Sequence, residues 1–275
     1  MFTRRSFLGA AAALSLQPLS ALAQAQRAIM LGVVGYGESA VAASLQYEGL
    51  TDYLGRSLKQ RVLVESSRDF TAFAERAKAK RYQFLFAAPS AIIDANRAAG
   101  YEPLVKAPGR LAASFMAAGK SGIAFVEDMK GKRIGFSGKN AMITKLAFHE
   151  LKQLGIADPA RHFSAISYHE DVETILVAMK TGMVDVGVAN VGFAGTWTNR
   201  GEDLNVIHIG QGVPHLTFAV RGGMPAPEKV LLSSALLKAH EDKSAADFLR
   251  RAGIPHFEPA KMADYKELEK ILGRS

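Results

Sequence analysis

Two polar turns carry the residues best suited to holding a small anion. Ser137-Gly138-Lys139-Asn140 follows the apolar run Arg133-Ile134-Gly135-Phe136 and leads into an amphipathic helix reaching Leu154. A hydroxyl, an ammonium and an amide are thus gathered where the first backbone N–H groups of a helix lack partners and its dipole favours negative charge. His169 closes Ser167-Tyr168-His169, a second strand that runs into a helix. A neutral imidazole offers one donor and one acceptor, and a charged one offers two donors to an oxyanion. Ser90 follows Pro89 at another helix start, Tyr36 comes just after the first strand, and Asn190 follows the Val184–Ala189 strand. The expected ligand residues are therefore Tyr36, Ser90, Ser137, Lys139, Asn140, His169 and Asn190. Each also has a plainer use: Ser90 and Asn140 as caps, Lys139 as a solvated loop lysine, His169 as a loop histidine, Tyr36 as a surface ring.

A second chemistry competes. Gly35-Tyr36-Gly37-Glu38-Ser39-Ala40 fits G-x-G-x-x-A between a strand and a helix, and Glu65 stands near where a ribose-binding acid belongs. That is a dinucleotide fingerprint in its proper context and makes an exported NAD(P)-dependent oxidoreductase the alternative reading. No acid/base pair stands at a clear catalytic spacing to serve such an enzyme. None of the seven histidines forms an H-x-x-x-H or H-E-x-x-H pair, and there is no P-loop or G-x-S-x-G. No metal, cofactor or catalytic residue is expected.

The elements that position these turns alternate between strand and helix, the pattern of a parallel α/β architecture. Ala28–Val34, Val62–Val64 and Phe84–Ala87 read as strands. Ser39–Leu58 reads as helix, a second is capped by Asp69 and carries Phe70, Phe73, Ala74 and Ala77 on one face, and a third runs from Pro89 to Gly100. Pro103 is expected to interrupt the following extended segment. A second series begins after Pro108-Gly109, with strands at Leu111–Ala117, Ile134–Phe136, Ser167–His169 and Val184–Ala189. Its helices carry the stripes Ile143, Leu146, Ala147, Leu151, Leu154 and then Val172, Ile175, Leu176, Met179, the latter capped by Asp171. Asp185 and Trp197 read as structural. Val206–Ile209 and Leu216–Val220 are extended, and helices follow over Val230–His240, Ala245–Ala252 and Tyr265–Leu272. One lobe is expected at 27–108 plus 212–275 and the other at 109–211, with two crossings suited to closing on a ligand.

The first residues read as an export signal over 1–23. Arg4-Arg5 precedes an apolar run to Leu22, and Ala21-Leu22-Ala23 offers a small-x-small cleavage site, of the twin-arginine or general type. Ser15, Gln17, Pro18 and Ser20 interrupt the run, which argues against a membrane span. The chain carries 34 basic and 26 acidic residues, so loss of Arg4 and Arg5 lowers its net charge from +8 to +6. The charges are interspersed, with no basic block of the nucleic-acid-binding kind, and the positive field favours anions. Cysteine is absent, which excludes thiolate nucleophiles and thiolate-bound metals.

From about Ile29 to Tyr265 the chain resembles the periplasmic solute-binding proteins of phosphate, phosphite and phosphonate ABC importers. The resemblance rests on Tyr53-Leu54, Phe86-Ala87-Ala88-Pro89-Ser90, Asp128-Met129-Lys130-Gly131-Lys132-Arg133-Ile134-Gly135-Phe136, Ser167-Tyr168-His169 and Gly182-Met183-Val184-Asp185-Val186-Gly187, in that order. It implies a two-lobe periplasmic-binding-protein-like α/β fold with two hinge crossovers and a ligand clamped between lobes and left chemically unaltered. It also implies a monomer in the periplasm that serves an inner-membrane ABC permease or, with the same lobes, a sensor. His169 matches the histidine of the family's strand-to-helix turn. Where the family carries a serine/threonine-rich loop, this chain has Ser137-Gly138-Lys139-Asn140, so the expected solute is a phosphate- or phosphonate-like ion or another oxyanion.

Overall fold

The computed structural model describes residues 28–34, 39–139, 141–169 and 171–274. Its first strands are short apolar runs: β1 (Ile29–Val34), then α1 (Ala40–Leu58), β2 (Val62–Ser67), α2 (Phe70–Lys78), β3 (Phe84–Ala87), α3 (Pro89–Ala99) and β4 (Glu102–Lys106). The chain then crosses to a second sheet through β5 (Ala113–Ala118). After two 3-10 turns come β6 (Arg133–Ser137), α4 (Met142–Gln153), α5 (Pro159–His162), β7 (Ala165–His169), α6 (Val172–Lys180), β8 (Val186–Asn190), α7 (Val191–Asn199) and β9 (Leu204–Ile209). It returns through β10 (Thr217–Val220), α8 (Ala226–Leu237), α9 (Lys243–Arg251), β11 (Glu258–Pro259) and α10 (Lys266–Ile271). The helix α7 was not anticipated from the sequence.

The strand orders are β11-β4-β10-β3-β1-β2 in one sheet and β7-β6-β8-β5-β9 in the other. In each, three strands run parallel and the next comes from a crossing: β10 lies antiparallel to β3, and β5 antiparallel to β8. Because β4 ends and β5 begins at the first crossing, the carboxyl ends of the parallel strands in both sheets lie on the crossing side. The two crossings also bond to each other. Leu111 N–H donates to the Val213 carbonyl at 2.8 Å and Val213 N–H to that of Leu111 at 2.9 Å, while the Arg110 guanidinium donates to the Gly212 carbonyl.

Both faces of both sheets are covered by apolar helix stripes, as parallel sheets require. Leu31, Phe86, Phe218, Leu50 and Phe248 pack on one face of the first sheet, and Phe73, Tyr82, Leu85 and Ile92 on the other. In the second sheet Phe115, Phe136, Leu146 and Val188 share a cluster with Tyr265 and Leu268 near α10 and with Ile93 of α3, and Met116, Ile175, Met179 and Trp197 fill the opposite face. Segments α10 and α3 thus meet the second sheet's core directly. Trp197 is fully buried and its indole N–H donates to Glu173 at 3.1 Å. Asp185 accepts from the Arg133 backbone N–H at 2.8 Å and its guanidinium at 2.6 Å, which holds its carboxyl below the usual range.

One expectation is corrected. Pro103 does not interrupt its segment; it lies within β4, opposite Ala219, where the pairing with β10 shifts register between Phe218 and Ala219. A bulge tolerates the missing N–H of proline.

Gly32 shows how tightly the first sheet is filled. A β-carbon there would sit 2.5 Å from the Tyr82 ring. That ring cannot yield, since it stacks on Phe73 and its hydroxyl shares a 2.9 Å hydrogen bond with Ser67. Gly32→Ala is expected to lower unfolding stability by about 1–3 kcal/mol, read as a lower urea midpoint at unchanged slope.

Candidate ligand-binding site

The helices that leave the parallel strands begin in two ways. Ser39 caps α1, Asp69 caps α2 and Asp171 caps α6, each accepting a backbone N–H from the first turn. At α3, α4 and α7 the capping positions are Ala88, Ala141 and Asn190, and none makes a side-chain cap. These three helices therefore keep orphan N–H donors at the crossing side of the sheets, where a bound anion can take them.

A cavity of about 700 Å³ opens between α3 and α4. The first sheet's helices contribute Phe70, Phe73 and Ala74 from α2, and Ala88, Ser90, Ala91 and Asp94 from α3. The second contributes Gly138, Lys139, Ala141, Met142 and Lys145, and Arg274 reaches in from beyond α10. Arg274 pairs with Asp94 at 2.8 Å and also donates to the Ser90 carbonyl at 3.3 Å. Burial pushes the Asp94 carboxyl up, against the pull of Arg274, Arg97 and Lys145. With Asp94 matched to Arg274, the ammonium groups of Lys139 and Lys145 leave the described lining of the cavity net positive. A groove of about 540 Å³ between α1 and the edge strand β2 draws only on the first sheet's elements.

The sequence-predicted residues divide. Ser90 and Lys139 line this cavity from opposite sheets. Ser137 ends β6 just before the loop, 8% exposed, with its hydroxyl buried and unpartnered. Thr144, the other hydroxyl nearby, is spent on the Ser137 carbonyl at 2.7 Å. Asn190 ends β8 with its Oδ1 also buried and unpartnered. His169 stands beside Ser137 across β6 and β7, but its Nε2 shares a 2.9 Å hydrogen bond with Ser167 and sits over Gly135, where a β-carbon would come within 3.0 Å of it. None of Ser137, Asn190 and His169 lines the cavity. Tyr36 and Asn140 lie outside the described residues.

Asp94, Lys145, Met142 and Arg274 were not anticipated. Phe70 was expected in a core stripe, but it is 44% exposed while Phe73 and Ala77 on the same stripe are buried. The stripe runs past the core to the cavity mouth, a distinction that periodicity does not carry.

The dinucleotide reading finds no support. Glu65 is engaged by Arg76 at 3.1 Å and Arg81 at 2.7 Å, so the acid assigned to a ribose already serves two guanidinium groups. Gly35 and Gly37 lie outside the described residues. Among the described residues no group of three or more His, Asp or Glu is placed to hold a metal ion.

Residues 36–265 match the family of periplasmic substrate-binding proteins of phosphonate ABC transporters, and the chain belongs to that family. No curated protein matches it. Solved structures share the two-lobe fold at low identity. The XAC2383 protein from Xanthomonas citri, bound to ATP, is 18% identical with a TM-score of 0.69, over 90% of this chain and 96% of its own. PhnD1 from Prochlorococcus marinus, in complex with methylphosphonate, is 14% identical with a TM-score of 0.68, over 90% and 99%. A TctC solute-binding protein from Polaromonas, without ligand, is 14% identical with a TM-score of 0.64, over 92% and 100%.

The second crossing carries one titratable group of consequence. His215, two residues before β10, has a buried Nδ1 without a partner, and burial, with a smaller push from Lys106, lowers its pKa from the ordinary 6.5. As pH falls below about 6.5 the unfolded chain takes up this proton first, so the folded state loses stability until the folded imidazole also titrates. The unfolding temperature is expected to fall on acidification through this window, and His215→Gln is expected to flatten that part of the profile in a thermal melt series.

Proposed function

We propose that the chain is an exported binding protein that captures a small oxyanion between two lobes and delivers it unaltered to an ABC permease. In this reading residues 1–23 direct export to the periplasm by the twin-arginine or general route, and the mature protein works as a monomer. The lobes are 27–108 with 212–275 and 109–211, and they close about the two crossings. Among the described residues no helix is long and apolar enough to cross a membrane, which accords with this reading.

The observation that carries the proposal is the pairing at the cavity. Two helices from different sheets, α3 and α4, bring starts without side-chain caps to one space, with Ser90 on one side and Lys139 and Lys145 on the other. Backbone donors and ammonium groups converging from two bodies suit a ligand that carries negative charge and several acceptor oxygens. At the neighbouring strand ends, outside the cavity lining, Ser137 offers a buried hydroxyl, Asn190 its amide N–H and His169 its imidazole, once the bond to Ser167 is exchanged, to the same ligand. The methylphosphonate held by PhnD1 of Prochlorococcus marinus is one such ligand.

Titration calorimetry of the mature protein against phosphate, phosphonates, sulfonates and small carboxylates tests the proposal. At least one of these oxyanions is expected to bind and NAD(H) is not; the reverse result would overturn it. Lys139→Ala and Lys145→Ala are each expected to weaken binding about ten- to hundredfold, the loss of one charge-assisted contact, with the unfolding midpoint little changed.

A further inference from the structure

Arg274 lies in the last described turn of the chain, yet its place is built. α10 ends in a Schellman motif: the Gly273 N–H donates to the Lys270 carbonyl at 3.0 Å and the Arg274 N–H to that of Glu269 at 2.7 Å. The motif needs a left-handed residue, and Gly273 supplies it at a φ of 63°. The segment is anchored at several points. Tyr265 and Leu268 are fully buried, the Tyr265 hydroxyl shares a 2.6 Å hydrogen bond with Thr217, and Glu269 pairs with Arg97 of α3 at 3.3 Å. The turn therefore delivers Arg274 to α3, where one guanidinium meets both the Asp94 carboxylate and the Ser90 carbonyl.

Stability is a poor reason for this pair. The Arg274 and Asp94 side chains remain 31% and 43% exposed, and ion pairs so open to water add little to folding. What the pair changes is the charge balance of the cavity. Asp94 is the one carboxylate among the described residues that line it, and the charge of Lys145 acts on it as well as that of Arg274. Without Arg274 this carboxylate would draw on Lys145 and repel an incoming anion.

We infer that Arg274 is a positioning residue that holds Asp94 as its counter-ion, so that Lys139 and Lys145 keep their charges for the captured anion. The inference rests on the anion-capture reading above and adds to it a residue that acts through its neighbour.

Calorimetry with phosphate and methylphosphonate on a double-mutant cycle tests it. Arg274→Ala is expected to weaken whichever anion binds about tenfold, the effect of one uncompensated charge at close range. Asp94→Asn is expected to tighten binding severalfold, and Arg274→Ala added to it to cost less than about threefold. Gly273→Ala would meet open space with its β-carbon but strain the backbone, so it is expected to reproduce part of the Arg274→Ala loss. Gly273→Asn is expected to recover most of it, because asparagine tolerates the left-handed region. An equal loss on Arg274→Ala with and without Asp94→Asn would overturn the counter-ion role and make Arg274 a direct ligand contact. A second readout needs no ligand. The Lys145 side-chain NMR resonances are expected to move on Arg274→Ala, and to move far less when Asp94→Asn is already in place. Unmoved Lys145 resonances would overturn the counter-ion role even where anions bind. Failure of every oxyanion to bind would overturn anion capture, and with it the purpose assigned to the pair.

Discussion

The direction of two strands governs everything at the site. β5 enters the second sheet against β8, and β10 returns to the first against β3. Each therefore starts at the end of its sheet where the parallel strands finish. Had either run parallel to its neighbour, one set of strand ends would point away from the crossings and the helix starts would have no common space. Antiparallel insertion turns both sets inward, and with them the first turns of α3, α4 and α7. The dipoles of α3 and α4 then add to the lysine charges at the cavity.

The choice of capping residues follows the same logic. A helix start capped by Asp or Ser has one of its orphan donors satisfied internally and presents fewer to a guest. The structure places Asp69 and Asp171 on α2 and α6 and leaves Ala88 and Ala141 on α3 and α4, which face each other across the cavity; α2 also lines it but keeps its Asp69 cap. Alanine at a cap forgoes about 1 kcal/mol of local stability. Pro89 offsets part of this at α3 by presetting the backbone angle and removing one orphan donor.

Much of this was legible in the sequence, because the relevant signals are local. Runs such as Phe84-Leu85-Phe86-Ala87 are strands on composition alone, and Asp69 and Asp171 mark helix starts by hydrogen bonds to residues three positions on. Ser90 and Lys139 could be named because each sits at a strand-to-helix turn. What could not be read was which turns share a space and what joins them there. Lys145 looks like any lysine on a helix surface, and Arg274 like a solvated basic residue; only the packing of α10 beside α3 and α4 brings them to Asp94. Pro103 misled for a related reason: its effect depends on the partner strand's bulge at Phe218 and Ala219, which lies far along the chain.

The bonds between the crossings carry a mechanical meaning. Leu111 and Val213 form a minimal two-stranded ribbon, reinforced by the Arg110 guanidinium on the Gly212 carbonyl. Swinging one half toward the other turns backbone torsions on either side of that ribbon and also moves α3 against the core it shares with α10 and the second sheet. Sliding one half past the other would shear the paired amides apart and strip Arg110 of its acceptor. The paired amides of Leu111 and Val213 thus resist sliding of one half past the other more than bending between them.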